Sequence, residues 1–162
     1  MSAAVGPAVR PYGEWRSTIS AASLVSGAVS VGELRVDGDD LWWSEARPDE
    51  GGRTAVMRRR DGRTEEITPP DAYVRTLVHE YGGGAWQVAD NVLYYVEHSD
   101  QRIRRLVPGG SPVALTPKPP SDRGHRHADF GVSPDGRWLI AVRERHDGLG
   151  EPVNELVAVP TD

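Results

Sequence analysis

A unit recurs along this 162-residue chain, and that recurrence narrows the folds open to it. Asp39-Asp40-Leu41-Trp42-Trp43-Ser44-Glu45 leads, across a break and a basic stretch, to Ile67-Thr68-Pro69. Asp90-Asn91-Val92-Leu93-Tyr94-Tyr95-Val96-Glu97 leads in the same order to Leu115-Thr116-Pro117. A third unit opens at Ser133-Pro134-Asp135-Gly136-Arg137 and runs into Trp138-Leu139-Ile140-Ala141-Val142. The Thr-Pro pairs stand 48 residues apart, and the acidic turns 51 and then 45. A period of about 40–50 residues, each divided into short strands, is the pattern of β-propeller blades.

Local signals divide each unit further. Ser20 can cap a short helix through Ala21, Ala22, Leu24 and Val25, stopped by Gly27. Val29 to Val36, Leu41 to Glu45, Thr54 to Arg59 and Thr64 to Thr68 read as four strands. They are separated by Asp37-Gly38-Asp39-Asp40, a loop at 47–52, and the hairpin signal Asp61-Gly62. The second unit repeats this from Gly84 to Thr116. The third, from about Asp129 to Val159, lacks a fourth strand. The expected fold is therefore all-β. Residues 1–28 form an N-terminal segment with a short helix, and 29–162 a partial propeller. Its blades lie at about 29–70, 71–117 and 127–159, the last incomplete.

Composition removes several function classes. Charged residues make up 27% of the chain and the net charge is −5, which argues against a nucleic-acid partner. There is no cysteine, hence no disulfide or thiolate metal site. No run approaches the ~18 apolar residues of a membrane span. The opening Met1-Ser2-Ala3-Ala4-Val5-Gly6-Pro7 lacks the basic and apolar regions of a signal peptide. The expectation is a cytoplasmic protein without a membrane partner.

The candidate chemistry is sparse. In Val78-His79-Glu80-Tyr81-Gly82-Gly83-Gly84, His-Glu could open the zinc-protease pattern H-E-x-x-H, but Gly83 stands where the second histidine belongs. The glycines also miss G-x-G-x-x-G, since Gln87 holds the last position. A tight turn needing glycine conformations is the better reading. His125, His127 and Asp129 would share a strand face and could bind zinc. They follow Lys118-Pro119-Pro120-Ser121, however, so a solvated loop is favoured and no metal is expected. Ala28-Val29-Ser30-Val31-Gly32 misses the nucleophile elbow G-x-S-x-G at its first position, and no catalytic nucleophile is expected. Trp42, Trp43, Tyr94, Tyr95 and Trp138 occupy matching places and are read as packing between blades. Arg58-Arg59-Arg60 is read as a solvated edge.

Four stretches resemble the prolyl oligopeptidase family of serine peptidases, in its acylaminoacyl peptidase and dipeptidyl aminopeptidase branch. They are Tyr12 to Ile19, Gly32 to Gly38, Val74 to Gly84, and His127-Ala128-Asp129 with Ser133 to Arg137. The resemblance implies a propeller that caps an α/β-hydrolase domain and filters peptide substrates. The family's catalytic Ser, Asp and His lie in that domain, and nothing in this chain matches them. It further implies that His79, Glu80 and Tyr81 face the substrate channel, on a structural loop closed by Gly82, Gly83 and Gly84. On this reading the chain is the non-catalytic front of a peptidase, truncated or split. No cofactor is expected. Its partners are the remaining blades and the hydrolase domain, in the same or a companion chain, and peptides reach it through the full enzyme. Uncovered end blades also predict self-association. The alternative is a free-standing propeller-type binding or scaffold module; a metal enzyme built on His125 and His127 ranks last.

Overall fold

The computed structural model describes residues 9–146, 148 and 150–162. The expectation for Met1 to Pro7 lies outside them. A short helix, α1 (Ala21–Val25), is capped by Ser20, whose hydroxyl accepts from the Ser23 backbone N–H while the Ser23 side chain accepts in return. Gly27, with φ 67°, follows its C-cap. Among the described residues, eleven strands then form three antiparallel sheets. The first contains β1 (Ser30–Asp37), β2 (Asp40–Arg47), β3 (Arg53–Arg60) and β4 (Arg63–Glu66), in chain order. The second contains β5 (Trp86–Ala89), β6 (Val92–Val96), β7 (Ile103–Leu106) and β8 (Val113–Ala114). The third has three strands, β9 (His125–Val132), β10 (Trp138–Arg145) and β11 (Val153–Pro160). An all-β, partial propeller with one short preceding helix is thus what the chain forms.

Turn chemistry sets the registers. Asp61 and Gly62 both take positive φ (50° and 76°), and Arg60 pairs with Arg63 around them. Asp90 and Asn91 do the same (50° and 61°) between Ala89 and Val92. Positive φ at both central residues is the requirement of the two-residue turn that matches strand twist.

The Thr-Pro repeat has a structural cause. Thr68 Oγ1 accepts the Val56 backbone N–H at 3.1 Å, and Thr116 Oγ1 accepts that of Ile103 at 3.0 Å. In each case the residue before the Thr, Ile67 or Leu115, donates its own N–H to the same third-strand residue's carbonyl at 2.9 Å. Each buried hydroxyl therefore ends the outer strand by satisfying a backbone donor of its neighbour, and the following proline ends the ladder.

The second sheet lies between the other two. Trp42 and Val56 of the first sheet pack with Trp86, Val88, Leu93, Tyr95 and Leu106 of the second. Tyr94 and Ile103, on the opposite face, pack with Leu139, Ala141 and Val159 of the third. Trp42, Trp86 and Tyr95 are among the largest fully buried side chains. At about 25 cal/mol per Å2, each large apolar side chain buried this way contributes on the order of 2–3 kcal/mol. Of the five aromatics expected to pack between blades, Trp42, Tyr94 and Tyr95 do so. Trp138 is exposed and Trp43 half-buried.

Arg58-Arg59-Arg60 departs from the solvated-edge reading. Arg58 is buried; its guanidinium stands 5.4 Å from the Trp42 ring centroid and donates to Glu65 and to Asn91 of the second sheet. Arg60 pairs with buried Asp40. Arg59 and Arg60 are exposed as expected, so the departure is Arg58's alone.

The two end sheets each keep an uncovered apolar face. On the third, Trp138, Ile140 and Leu156 are exposed. On the first, Leu34, Val36 and Leu41 are.

Candidate functional site

The innermost strands β1, β5 and β9 run side by side, with β5 in the middle. Both flanking strands carry a bulge. In β1 the register shifts between Gly32 and Arg35, with Glu33 at φ 46°. In β9 it shifts opposite Ile140 and Val142, with Asp129 at φ 54°. The extra residue in each twists the strand and re-aims its side chain.

The segment before β5 is held between these bulges. Gly84 donates its N–H to Glu33 Oε1 at 3.2 Å, and its carbonyl accepts the Asp129 N–H at 2.9 Å. A Cβ on Gly84 would come within 2.1 Å of Asp129 Oδ1 and 2.9 Å of Asp129 N. With φ +59°, glycine is required here for both space and conformation. Gly82 and Gly83 also take positive φ (74° and 104°). The glycine run is therefore the tight turn read from the sequence.

Val78–Glu80 forms a single 3-10 turn, with His79 at φ 52° and Glu80 at φ 62°. Non-glycine residues in this region cost about 1–3 kcal/mol each and stay there only when their surroundings hold them. Glu144 of β10 supplies the hold. Its carboxylate is almost wholly buried and accepts the His79 N–H at 2.9 Å; His79 Nδ1 lies 3.3 Å and His146 Nε2 2.6 Å from it. Arg126 stands 3.4 Å from Glu144 and donates to the Leu77 carbonyl at 2.8 Å and to Glu80. Burial alone would raise the Glu144 carboxyl. The bonds from His79 and His146, with the Arg126 charge, outweigh that and hold it below the ordinary carboxylate range.

A second anchor lies two residues earlier, at Leu77. Gln101, fully buried, accepts the Leu77 N–H at 2.8 Å and donates to the Arg75 and His98 carbonyls at 3.1 Å each. The Gln101 carbonyl in turn lies 3.1 Å from His127 Nδ1. His127 is buried in β9, and burial pushes its imidazole down to about 4.

The sequence-based site residues thus come together in one place. The side chains of His79, Glu80 and Tyr81 are exposed, Tyr81 at 92%. Glu144 fixes the His79 backbone, and Gln101 and Arg126 fix that of Leu77 just before the turn; none of the three stood out in the sequence. Gln101 and Glu144 carry no motif; only long-range pairing reveals them.

His125 and His127 correct the loop reading, since both belong to β9, paired with Arg145 and Arg143. The bulge at Asp129 breaks the alternation that would have aligned all three groups. Among the described residues no cluster of His, Cys, Asp or Glu is placed to hold a metal ion. Ser30 begins β1. No helix among the described residues is long and apolar enough to cross a membrane.

No family model matches the chain, and no curated protein matches it. Solved structures do. A Mycobacterium tuberculosis puromycin-hydrolyzing peptidase is 38% identical, with TM-score 0.79, over 96% of this chain and 25% of its own. Puromycin hydrolase is 33% identical with TM-score 0.80, again over 96% and 25%. A puromycin hydrolase mutant complexed with PGG is 34% identical with TM-score 0.81 over 94% and 25%. The likeness is to the prolyl oligopeptidase family, and to its N-terminal propeller portion. The chain spans about a quarter of the peptidases it matches.

Proposed function

We propose that this chain is the N-terminal propeller portion of a serine peptidase acting on peptides, of acylaminoacyl or dipeptidyl type. The observation that carries the reading is the joint agreement of sequence and fold, 38% identity with TM-score 0.79, over 96% of the chain. Blades at about 29–70, 71–117 and 127–159 continue into further blades and an α/β-hydrolase domain, in the same or a companion chain. That domain supplies the catalytic serine. The propeller controls which peptides reach it, and residues 1–162 alone do not hydrolyse them.

Within the propeller, His79, Glu80 and Tyr81 border the substrate route. Three features support that role: exposed side chains, strained backbone, and a buried scaffold that holds the strain. Strain of this kind clusters where a protein presents groups to a ligand.

The test is a chimera of a puromycin-hydrolyzing peptidase in which this chain replaces the matching quarter. A folded, active chimera supports the reading. A folded chimera whose hydrolase serine still labels with a fluorophosphonate, but which no longer discriminates peptides from proteins, contradicts the gating role. The isolated chain should show no turnover of aminoacyl or peptidyl chromogenic substrates.

A further inference from the structure

Where the segment between β4 and β5 passes the end of β6, a cavity of about 520 Å3 opens at the outer side of the second sheet. Pro69, Asp71, Tyr95, Glu97, Arg104 and Pro112 are among its walls, and no residue of the glycine turn is. Tyr95 is 1% exposed, yet its hydroxyl has no hydrogen-bond partner among the described residues. The half-buried Glu97 carboxylate accepts the Tyr73 and Ser99 backbone N–H groups, each at 3.2 Å. Among the described residues neither Glu97 nor Asp71 forms an ion pair. Arg104, on the same wall, is taken up by Asp100 at 2.5 Å. Burial raises the Glu97 carboxyl above the ordinary carboxylate range.

Buried polar groups in native proteins nearly always meet partners, and carboxylates taken from water normally meet a cation. Here a phenol and a carboxylate share one cavity and lack both. The two N–H bonds fix the Glu97 carboxylate in place and leave lone pairs on both of its oxygens. A cation with several N–H donors would satisfy the carboxylate and the phenol oxygen together. A guanidinium presents five donors in a planar fork that matches a carboxylate in two parallel bonds. It is also weakly hydrated, so the rings of Pro69 and Pro112 suit its faces. An ammonium is a strongly hydrated point charge and fits such walls less well.

We infer that this cavity binds a guanidinium group, its fork on Glu97, a further N–H on the Tyr95 hydroxyl, and exposed Asp71 at the mouth. The guanidinium comes from a small guanidino compound or from an arginine side chain of another polypeptide. The inference stands apart from the peptidase reading and does not depend on it.

The test titrates the 15N-labelled full chain with ethylguanidine and with N-acetyl-Gly-Arg-Gly amide, following the Tyr73 and Ser99 amides that donate to Glu97. Both probes should shift both signals. A peptide that binds more tightly than ethylguanidine assigns the side-chain source; ethylguanidine binding as tightly or more so assigns the small compound. Citrulline in place of arginine, and separately Glu97→Gln, should weaken binding by about tenfold or more through loss of the charge-assisted bonds. Tyr95→Phe, which removes only the hydroxyl, should weaken it by about threefold or more. Equal binding of the citrulline peptide would overturn the cation assignment, and equal binding of a lysine peptide would overturn the choice of guanidinium. No shift with either guanidinium probe at millimolar concentration would overturn the site itself. The wild-type arms decide the matter even if a variant fails to fold.

Discussion

The Gly84 carbonyl accepts the backbone N–H of Asp129 over 2.9 Å, joining the turn before β5 to the bulge in β9. The same residue's N–H is held by Glu33 in the β1 bulge. One glycine therefore links the inner strands of all three sheets. Gly84→Ala sets a Cβ against Asp129 in a backbone conformation alanine resists, and should destabilise the chain by about 2 kcal/mol or more. Gly83→Ala meets no neighbouring atom and should cost less. Urea unfolding of the two variants checks the order; a Gly84→Ala protein as stable as wild type would refute the packing described.

Glu144 and Glu80 make opposite predictions. Glu144 is 2% exposed and serves the His79 N–H, Arg126 and His146. Glu144→Ala leaves the His79 N–H without its acceptor and takes one of two carboxylates from half-buried Arg126, which keeps Glu80 and the Leu77 carbonyl, and should destabilise by about 1–3 kcal/mol. It should also speed amide exchange across Val78 to Gly84. Glu80, largely exposed, shares its charge with Arg126 at the surface, and Glu80→Ala should change stability by at most ~1 kcal/mol. Hydrogen exchange with denaturant titration separates the two.

His127 gives a pH dependence with a definite sign. Burial favours the neutral imidazole, pushing its pKa from 6.5 to about 4, while Arg143 and His125 add weaker like-charge repulsion. Above pH 6.5 the ring is neutral in both folded and unfolded chains and nothing is lost. As pH falls from 6.5 towards 4, only the unfolded chain takes up the proton. Stability should therefore drop by up to about 3 kcal/mol across that window. His127→Gln should flatten this part of the profile. An unchanged slope would place the pH dependence elsewhere.

The exposed Trp138, Ile140 and Leu156, with Leu34, Val36 and Leu41 at the other end, predict that residues 1–162 alone self-associate. Size-exclusion chromatography over a concentration series should show mass rising with concentration. A sharp monomer peak throughout, with a high and cooperative melt, would contradict this.

Much of the fold was legible in the sequence because it is written locally. Asp61-Gly62, Asp90-Asn91 and the Thr-Pro pairs each act within one sheet, and the strand count follows from them. What stayed hidden depends on partners far away in the chain. Pro119-Pro120 suggested a loop at His125, yet pairing with Arg145 extends β9 back to it. Arg58 read as surface until Trp42 and Asn91 closed over it. The glycine turn could be read from composition. Its anchors Gln101 and Glu144, 24 and 65 residues from the backbone groups they hold, could not.

The function proposed above needs a nucleophile outside residues 1–162. The most direct measurement captures the native protein from its source with an antibody to residues 150–162 and treats it with a fluorophosphonate probe. The captured material should label and hydrolyse aminoacyl or peptidyl substrates, while the isolated 162-residue chain should do neither. Captured material that neither labels nor turns over substrate, or an isolated chain that does both, would contradict it.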